Sequence, residues 1–221
     1  YHRAVLSNAT KSSADIGSIH DAVRVKDPQV RQKIVYDWYK KESLVDHFFG
    51  PGTELKSLSK CRFKELGDFV NMPYEVDVKK TRNKAEIRTF RRGGLWLENG
   101  RKAVAVRKNI MLQAGKPEII VSYDIVNEND EKLEFDFGVE FNFALLGGEA
   151  PDRYYLAGKD RDNLGNLSTM VDLEDCAAFA AVDEWKGVEW WLKFSVRVGI
   201  WAFPVHTASM SEYGVELVYQ C

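Results

Sequence analysis

Apolar and polar residues alternate without interruption through the segment 133–143, Leu-Glu-Phe-Asp-Phe-Gly-Val-Glu-Phe-Asn-Phe. A period of two separates the two sets onto opposite faces of an extended strand, whereas a helix would mix them. The pattern therefore predicts a long strand whose aromatic face packs against a second layer. Its other face carries Glu134, Asp136, Glu140 and Asn142.

Similar alternation recurs along the chain, interrupted by turns rich in Gly, Pro, Asn and charged residues. The predicted strands are 32–39, 75–78, 85–90, 95–97, 104–112, 118–126, 133–143, 169–173, 177–182, 188–203 and 215–219. We expect the strand 118–126 to pair with 133–143 through a polar loop, and residues 152–166 to be irregular. This succession, with no long helix, predicts an all-β fold, a two-layer antiparallel β-sandwich.

Composition fits one domain with a large core, since 45% of the 221 residues are hydrophobic and 12% are aromatic. Lys and Arg total 31 against 33 Asp and Glu, a net charge of −2, so no nucleic-acid partner is expected. No apolar run reaches the roughly 18 residues that span a bilayer, so no membrane partner is expected either. The widely spaced Cys61, Cys176 and Cys221 are typical of reduced thiols and favour a cytoplasmic location.

The first candidate functional residues are Asp46 and His47, just before the turn Gly50-Pro51-Gly52. A carboxylate beside an imidazole can bind sugar hydroxyls and transfer a proton near neutral pH. The alternative is a turn in which Asp46 caps backbone N–H groups. Likewise, the polar row that includes Glu140 and Asn142 suits either a flat sugar-binding surface or a solvated face.

Indole rings offer flat apolar faces on which sugar rings stack, although most tryptophans in β-sandwiches belong to the core. Trp191 is the best candidate because Lys193, Ser195 and Arg197 share its predicted strand face. The cluster Arg88, Arg91 and Arg92 suits an anion or a solvated basic loop, the second being favoured. The histidines, His2, His20, His47 and His206, lack the spacing of metal ligands, so neither a metal nor another cofactor is predicted.

Taken together, four segments resemble the C-terminal region of family 57 glycoside hydrolases, in the α-amylase and 4-α-glucanotransferase branch. They are Ser-Ile-His-Asp at 18–21, Tyr-Asp-Trp-Tyr at 36–39, Ser-Leu-Val-Asp-His-Phe-Phe at 43–49 and Gly-Val-Glu-Phe-Asn at 138–142. The resemblance covers nearly the whole chain and is weakest at 152–185. It implies a β-sandwich of the galactose mutarotase super-sandwich type over residues 17–221. It also implies that residues 1–16 are a linker and the remnant of an upstream catalytic domain.

In that family, the two catalytic carboxylates belong to an incomplete (β/α) barrel upstream, which retains anomeric configuration. The resemblance therefore implies no catalytic residue in this chain. It implies a noncatalytic domain of an α-glucan-processing enzyme, whose partners are the barrel of the same polypeptide and an α-1,4-glucan. Asp46, His47, Glu140 and Asn142 match positions typical of the family.

Two other functional classes stay open at this point. One is a stand-alone sugar mutarotase or epimerase, with His47 or His206 as the acid and Glu140 as the base. It requires those groups to converge on one concave pocket. The other is a stand-alone carbohydrate-binding module whose affinity for glycogen or amylose depends on Trp191.

Overall fold

The computed structural model describes residues 33–211 and 214–220, and nearly all regular structure in that part of the chain is strand. The elements are β1 (Val45–Phe49), α1 (Leu55–Ser59), β2 (Glu75–Lys80), β3 (Lys84–Leu97), β4 (Gly100–Gln113), β5 (Ile119–Asn127), β6 (Asp136–Glu140), β7 (Arg153–Ala157), β8 (Asp162–Asn166), β9 (Val171–Asp183), β10 (Val188–Ala202), β11 (Val205–Ser211) and β12 (Gly214–Gln220). All the strand pairings are antiparallel. The predicted all-β, sandwich-type fold is confirmed. The segment 1–16, predicted to be a linker, lies outside the described residues.

The described residues divide into two compact units. The first unit comprises Trp38–Glu54 and Arg62–Phe141, and the second comprises the remaining described residues. One sandwich domain over 17–221 stays a prediction.

The first unit consists of two layers. One layer is a four-stranded sheet in the order β2-β3-β4-β5, in which β3 and β4 pair over fourteen residues. The other is the ribbon formed by β1 and β6. Side chains from both layers meet in one core, because alternate residues of each strand point inward. This core contains Phe48, Leu66, Phe69, Leu95, Val104 and Val106, with Leu133, Phe135 and Phe137 packed against it.

The second unit contains a four-stranded sheet in the order β10-β9-β7-β8 and the separate pair β11–β12. Its main core includes Leu145, Tyr155, Leu167, Val171 and Phe179. A smaller cluster, formed by Leu156, Ala180 and Val182, contacts Tyr154 and Trp191.

The predicted pairing of 118–126 with 133–143 is wrong. β5 pairs with β4, where Leu112 lies opposite Ile119, and β6 pairs with β1, where Phe48 lies opposite Phe137. Hydrophobic alternation determines which face of a strand is buried, but it carries no information about the neighbouring strand. The strand predicted at 133–143 is also shorter in the structure, where only Asp136–Glu140 is strand.

Three further predictions differ from the structure. Residues 34–39 do not form a strand, since Ile34 and Tyr39 are buried while Tyr36 and Trp38 are more than half exposed, which is not a two-residue period. Residues 152–166 are not irregular, because they contain β7 and β8. The strands predicted at 169–173 and 177–182 are one strand, β9.

Candidate functional site

Strand β1 carries Asp46 and His47 into the interior of the first unit, where each is only 1% exposed. Because successive side chains of a strand point to opposite faces, the two residues enter different surroundings. Asp46 lies on the side of Phe48, which faces the four-stranded sheet, and His47 lies on the side of Phe49.

The imidazole of His47 lies between two carboxylates. Its Nδ1 is 2.8 Å from Glu65 Oε2, and its Nε2 is 3.2 Å from Glu140 Oε2. Glu65 is itself held, because its Oε1 accepts hydrogen bonds from the backbone N–H groups of Phe48 and Gly67. Burial lowers the pKa of His47, but the hydrogen bonds and negative charges of Glu140 and Glu65 together outweigh that effect, so the pKa lies above its usual value. The arrangement stabilises an imidazolium with both N–H groups donating.

Aromatic rings enclose the imidazole on three sides. Phe49 stacks on it at 5.3 Å between centroids, and Tyr39 and Phe63 approach at 5.2 and 5.6 Å with their planes steeply inclined to the imidazole. Gly138 lies opposite His47 in the β1–β6 ladder, and a Cβ there would be 2.5 Å from the Phe49 ring. The glycine therefore makes room for the ring that stacks on His47.

Glu140 is where this cluster approaches the surface, with 12% of its side chain exposed. In addition to His47, it accepts a hydrogen bond from the hydroxyl of Tyr39, and its Oε1 is 3.3 Å from Lys41 Nζ. The same ammonium group lies 4.7 Å from the centre of the Tyr39 ring. Two cations, His47 and Lys41, thus compensate the charge of Glu140.

Asp46 forms a second cluster on the opposite side of β1. Its Oδ2 is 2.8 Å from Lys108 Nζ and accepts a hydrogen bond from the hydroxyl of Tyr74. The Lys108 ammonium also donates to the carbonyl oxygen of Leu44 and lies 4.6 and 5.7 Å from the ring centres of Tyr74 and Tyr123. Burial, reinforced by the charge of Asp46, raises the pKa of both tyrosine hydroxyls. Asp46 and Lys108 are therefore a buried ion pair in a cage of tyrosines.

The structure brings His47 and Glu140 into contact and places Asp46 on the opposite side of β1, all three in the first unit, whereas Asn142 and Trp191 belong to the second. Asn142 is half-buried just after β6. Trp191 lies on β10, where its ring contacts the Arg161 guanidinium at 5.5 Å and its Nε1 donates to Glu189. Glu189 forms two hydrogen bonds with Arg161, at 2.7 and 2.8 Å.

Sequence reasoning missed Glu65 and Lys108. For Lys108, a signal was present, because it interrupts the inward-facing row Val104, Val106, Ile110 and Leu112. For Glu65, no periodic signal exists, since only an isolated bridge to Phe49 places it beside β1.

The arginines Arg88, Arg91 and Arg92 do not converge on an anion site. Arg88 pairs with Glu86, Arg92 with Glu128, and Arg91 donates to the backbone oxygens of Asp68 and Pro73. Among residues 33–211 and 214–220, no group of three or more acidic, His or Cys side chains is arranged to hold a metal ion. No helix in the same residues is long and apolar enough to cross a membrane.

Comparison with known proteins places these features in a family. A family model described as "Alpha-amylase/4-alpha-glucanotransferase, C-terminal" matches residues 1–221. Similar proteins include a 4-α-glucanotransferase of Thermococcus litoralis (27% identity, covering 100% of this chain and 29% of the relative) and α-amylase 1 of Dictyoglomus thermophilum (27%, 100% and 30%).

The crystal structure of the 4-α-glucanotransferase from Thermococcus litoralis is also similar. It has a TM-score of 0.67 and 25% sequence identity over 88% of this chain and 26% of that protein. The chain thus spans less than a third of the length of these relatives. Since the family match covers every residue, the chain belongs to the α-amylase/4-α-glucanotransferase C-terminal domain family.

Proposed function

We propose that this chain is a noncatalytic C-terminal domain of an α-glucan-processing enzyme, an α-amylase or a 4-α-glucanotransferase. In that enzyme it supports a catalytic barrel that precedes it in the same polypeptide and contacts the α-1,4-glucan. The proposal rests chiefly on the family match over residues 1–221, together with relatives that are more than three times longer than this chain.

The geometry of the His47 cluster supports a noncatalytic role. A general acid or base must come within hydrogen-bonding distance of the reacting group. Both ring nitrogens of His47 contact carboxylates instead, and the ring is 1% exposed. We therefore assign His47 and Asp46 to holding β1 in place rather than to touching a sugar.

A sugar epimerase that uses His47 as acid and Glu140 as base is less well supported. Those two groups are hydrogen-bonded to each other, so neither is available to a substrate in this arrangement. The other candidate acid, His206, lies on β11 in the second unit, whereas Glu140 belongs to the first.

For a glucan contact, we propose the face of the β7–β10 sheet that carries Trp191. Trp191 lies opposite Ala180, and Glu189 opposite Val182, which in turn pairs with Tyr154. Two aromatic residues and a carboxylate thus share one sheet face. Aromatic surface with adjacent hydrogen-bonding groups suits a saccharide, which has apolar C–H faces and polar edges.

Activity measurements on the purified 221-residue chain test the proposal. We expect no amylose cleavage, no transfer between maltooligosaccharides and no acceleration of glucose mutarotation above buffer. Glucan cleavage or transfer by this chain would overturn the noncatalytic assignment. Accelerated mutarotation would favour the epimerase instead.

Affinity electrophoresis in amylose tests the glucan contact. We expect Trp191→Ala to weaken retention about tenfold, which corresponds to about 1.4 kcal/mol. Trp96→Ala is the control, because the guanidinium of Arg101 lies 5.6 Å from the centre of the Trp96 ring, as that of Arg161 does at 5.5 Å from Trp191, but Trp96 belongs to the first unit. Equal retention of the two variants would contradict a contact at Trp191.

A further inference from the structure

The apolar inner face of the β2–β5 sheet extends beyond the layer that covers it. Alternate residues of a strand and direct cross-strand partners share a face. On β4, the buried Val104 and Val106 are therefore on the same face as Ile110 and Leu112. The ribbon β1–β6 covers the first two through Phe48 and Phe137, which belong to the same core.

The rows beyond Lys108 form what we call the open end of the sheet: Val78, Ile87, Ile110 and Val121 in one row, and Leu112 and Ile119 in the next. Val78 is 60% exposed, Ile119 63% and Leu112 38%. Large aliphatic side chains that share a face and remain in contact with water mark an interaction surface, since burying them is favourable.

The chemistry of the open end fits a protein surface and not a saccharide. All six side chains are aliphatic, so they provide no ring on which a sugar could stack and no hydrogen-bonding group. The second row continues through Ala85 to Lys80, whose ammonium group lies at the edge of the patch on β2. A glucan bound on the aliphatic side chains would lose water from its hydroxyl groups without forming replacement hydrogen bonds to them, at a free-energy cost.

Charged residues around the open end argue against a second copy of this chain. The neighbouring strand ends and turns carry five basic residues, Lys79, Lys80, Arg82, Lys84 and Lys116, against three acidic ones, Asp77, Glu86 and Glu118. In a two-fold dimer, the same patch meets itself, so this excess of positive charge would face its own copy. In addition, Lys79 and Lys80 lie on β2, an edge strand, where lysines discourage pairing with another sheet.

We propose that the open end is the docking surface for the preceding part of the same polypeptide. That preceding part contacts the open end through an aliphatic patch of its own, which is bordered by acidic residues. This rests on the proposed function, in which the domain follows a catalytic region. Relatives for which this chain matches only 26–30% of the length contain the additional chain that such a contact needs.

Thiol labelling tests the docking surface with little perturbation. Val78→Cys and, as a second probe, Ile119→Cys are labelled with a maleimide in the 221-residue chain and in the longer polypeptide that contains it. Peptide mass mapping separates these thiols from Cys61, Cys176 and Cys221. Val196→Cys is the control, because Val196 is 68% exposed but lies on β10 in the second unit.

We expect labelling at positions 78 and 119 to be at least about tenfold slower in the longer polypeptide, with no change at position 196. Equal rates at 78 and 119 in both proteins would overturn the docking surface. Protection already present in the 221-residue chain, rising with its concentration and accompanied by a dimer mass, would overturn it in favour of self-association. Glucan cleavage by the 221-residue chain is a separate result that bears only on the proposed function.

Discussion

At the scale of single residues, the first unit places ionisable side chains where apolar ones would normally lie. His47 with Glu65 and Glu140, and Asp46 with Lys108, occupy the two sides of one buried strand. Such groups contribute little stability compared with apolar residues of equal volume, but removing one partner leaves a buried charge and is costly. The two clusters therefore make stability sensitive to single substitutions and to pH.

Replacing His47 tests the pH dependence. Because the folded-state pKa lies above the unfolded value of about 6.5, the contribution of the imidazolium is complete below that pH and is lost as the pH rises through the raised value. We expect His47→Gln to lower the free energy of unfolding by about 3 kcal/mol at about pH 6. The loss should shrink toward about pH 9. Urea titrations across this range measure both values, and a loss that grows with pH would contradict the assignment.

Replacing Lys108 tests the buried ion pair. Lys108→Met leaves the Asp46 carboxylate buried without its cation, and we expect a loss of about 3 to 5 kcal/mol in the free energy of unfolding. Adding Asp46→Asn should restore part of that loss, because the stranded charge is removed. Lys132→Met is the control, since Lys132 and its partner Glu134 are exposed, and it should leave the urea midpoint unchanged. Strictly additive losses for the two core substitutions would rule out direct coupling.

At the scale of elements, the ribbon β1–β6 is what assembles the candidate site. β1 supplies Asp46 and His47, and β6 supplies Glu140 from a position 93 residues after His47. Because Gly138 has no side chain, the Phe49 ring has room to stack on His47. The geometry of this pair therefore controls the environment of the imidazole.

Substitution at Gly138 tests that control. A Cβ at this position would displace the Phe49 ring, and we expect Gly138→Ala to cost about 1 to 3 kcal/mol and to shift the NMR resonances of the His47 ring. Gly199→Ala on β10 is the matched control, because the nearest atom to its Cβ, the Leu173 carbonyl oxygen, lies at 3.5 Å, an ordinary contact. A loss at Gly199 as large as that at Gly138 would show a general sensitivity of strand glycines instead.

The strands were predictable from sequence where alternation is strong and turns are short. The predicted strands 75–78, 85–90 and 104–112 fall within β2, β3 and β4, which are joined by short turns. Strand partners distant in sequence were not predictable, since β6 could pair with β5 or with β1 equally well by its pattern. The same limit hid the contact of Glu65 with His47, although Asp46, His47 and Glu140 were singled out by residue type.

At the scale of the whole molecule, a chain that forms two compact units of antiparallel strands belongs to a family defined by C-terminal domains of α-glucan enzymes. The imidazole of His47 is buried, and both of its ring nitrogens contact carboxylates of the same unit. In the proposed account, this chain has a supporting role, and the reacting carboxylates lie in the preceding part of the polypeptide.

The most direct test of that account is the kcat of the longer polypeptide carrying Glu140→Gln. Of the three candidates in the first unit, Asp46, His47 and Glu140, the last is the most exposed, and glutamine retains an acceptor for Tyr39. We expect kcat per folded molecule on amylose or maltooligosaccharides to stay within about tenfold of the unsubstituted enzyme, whereas loss of a catalytic carboxylate costs about a thousandfold or more. A thousandfold fall in kcat, with the circular dichroism spectrum and melting temperature unchanged, would contradict the account.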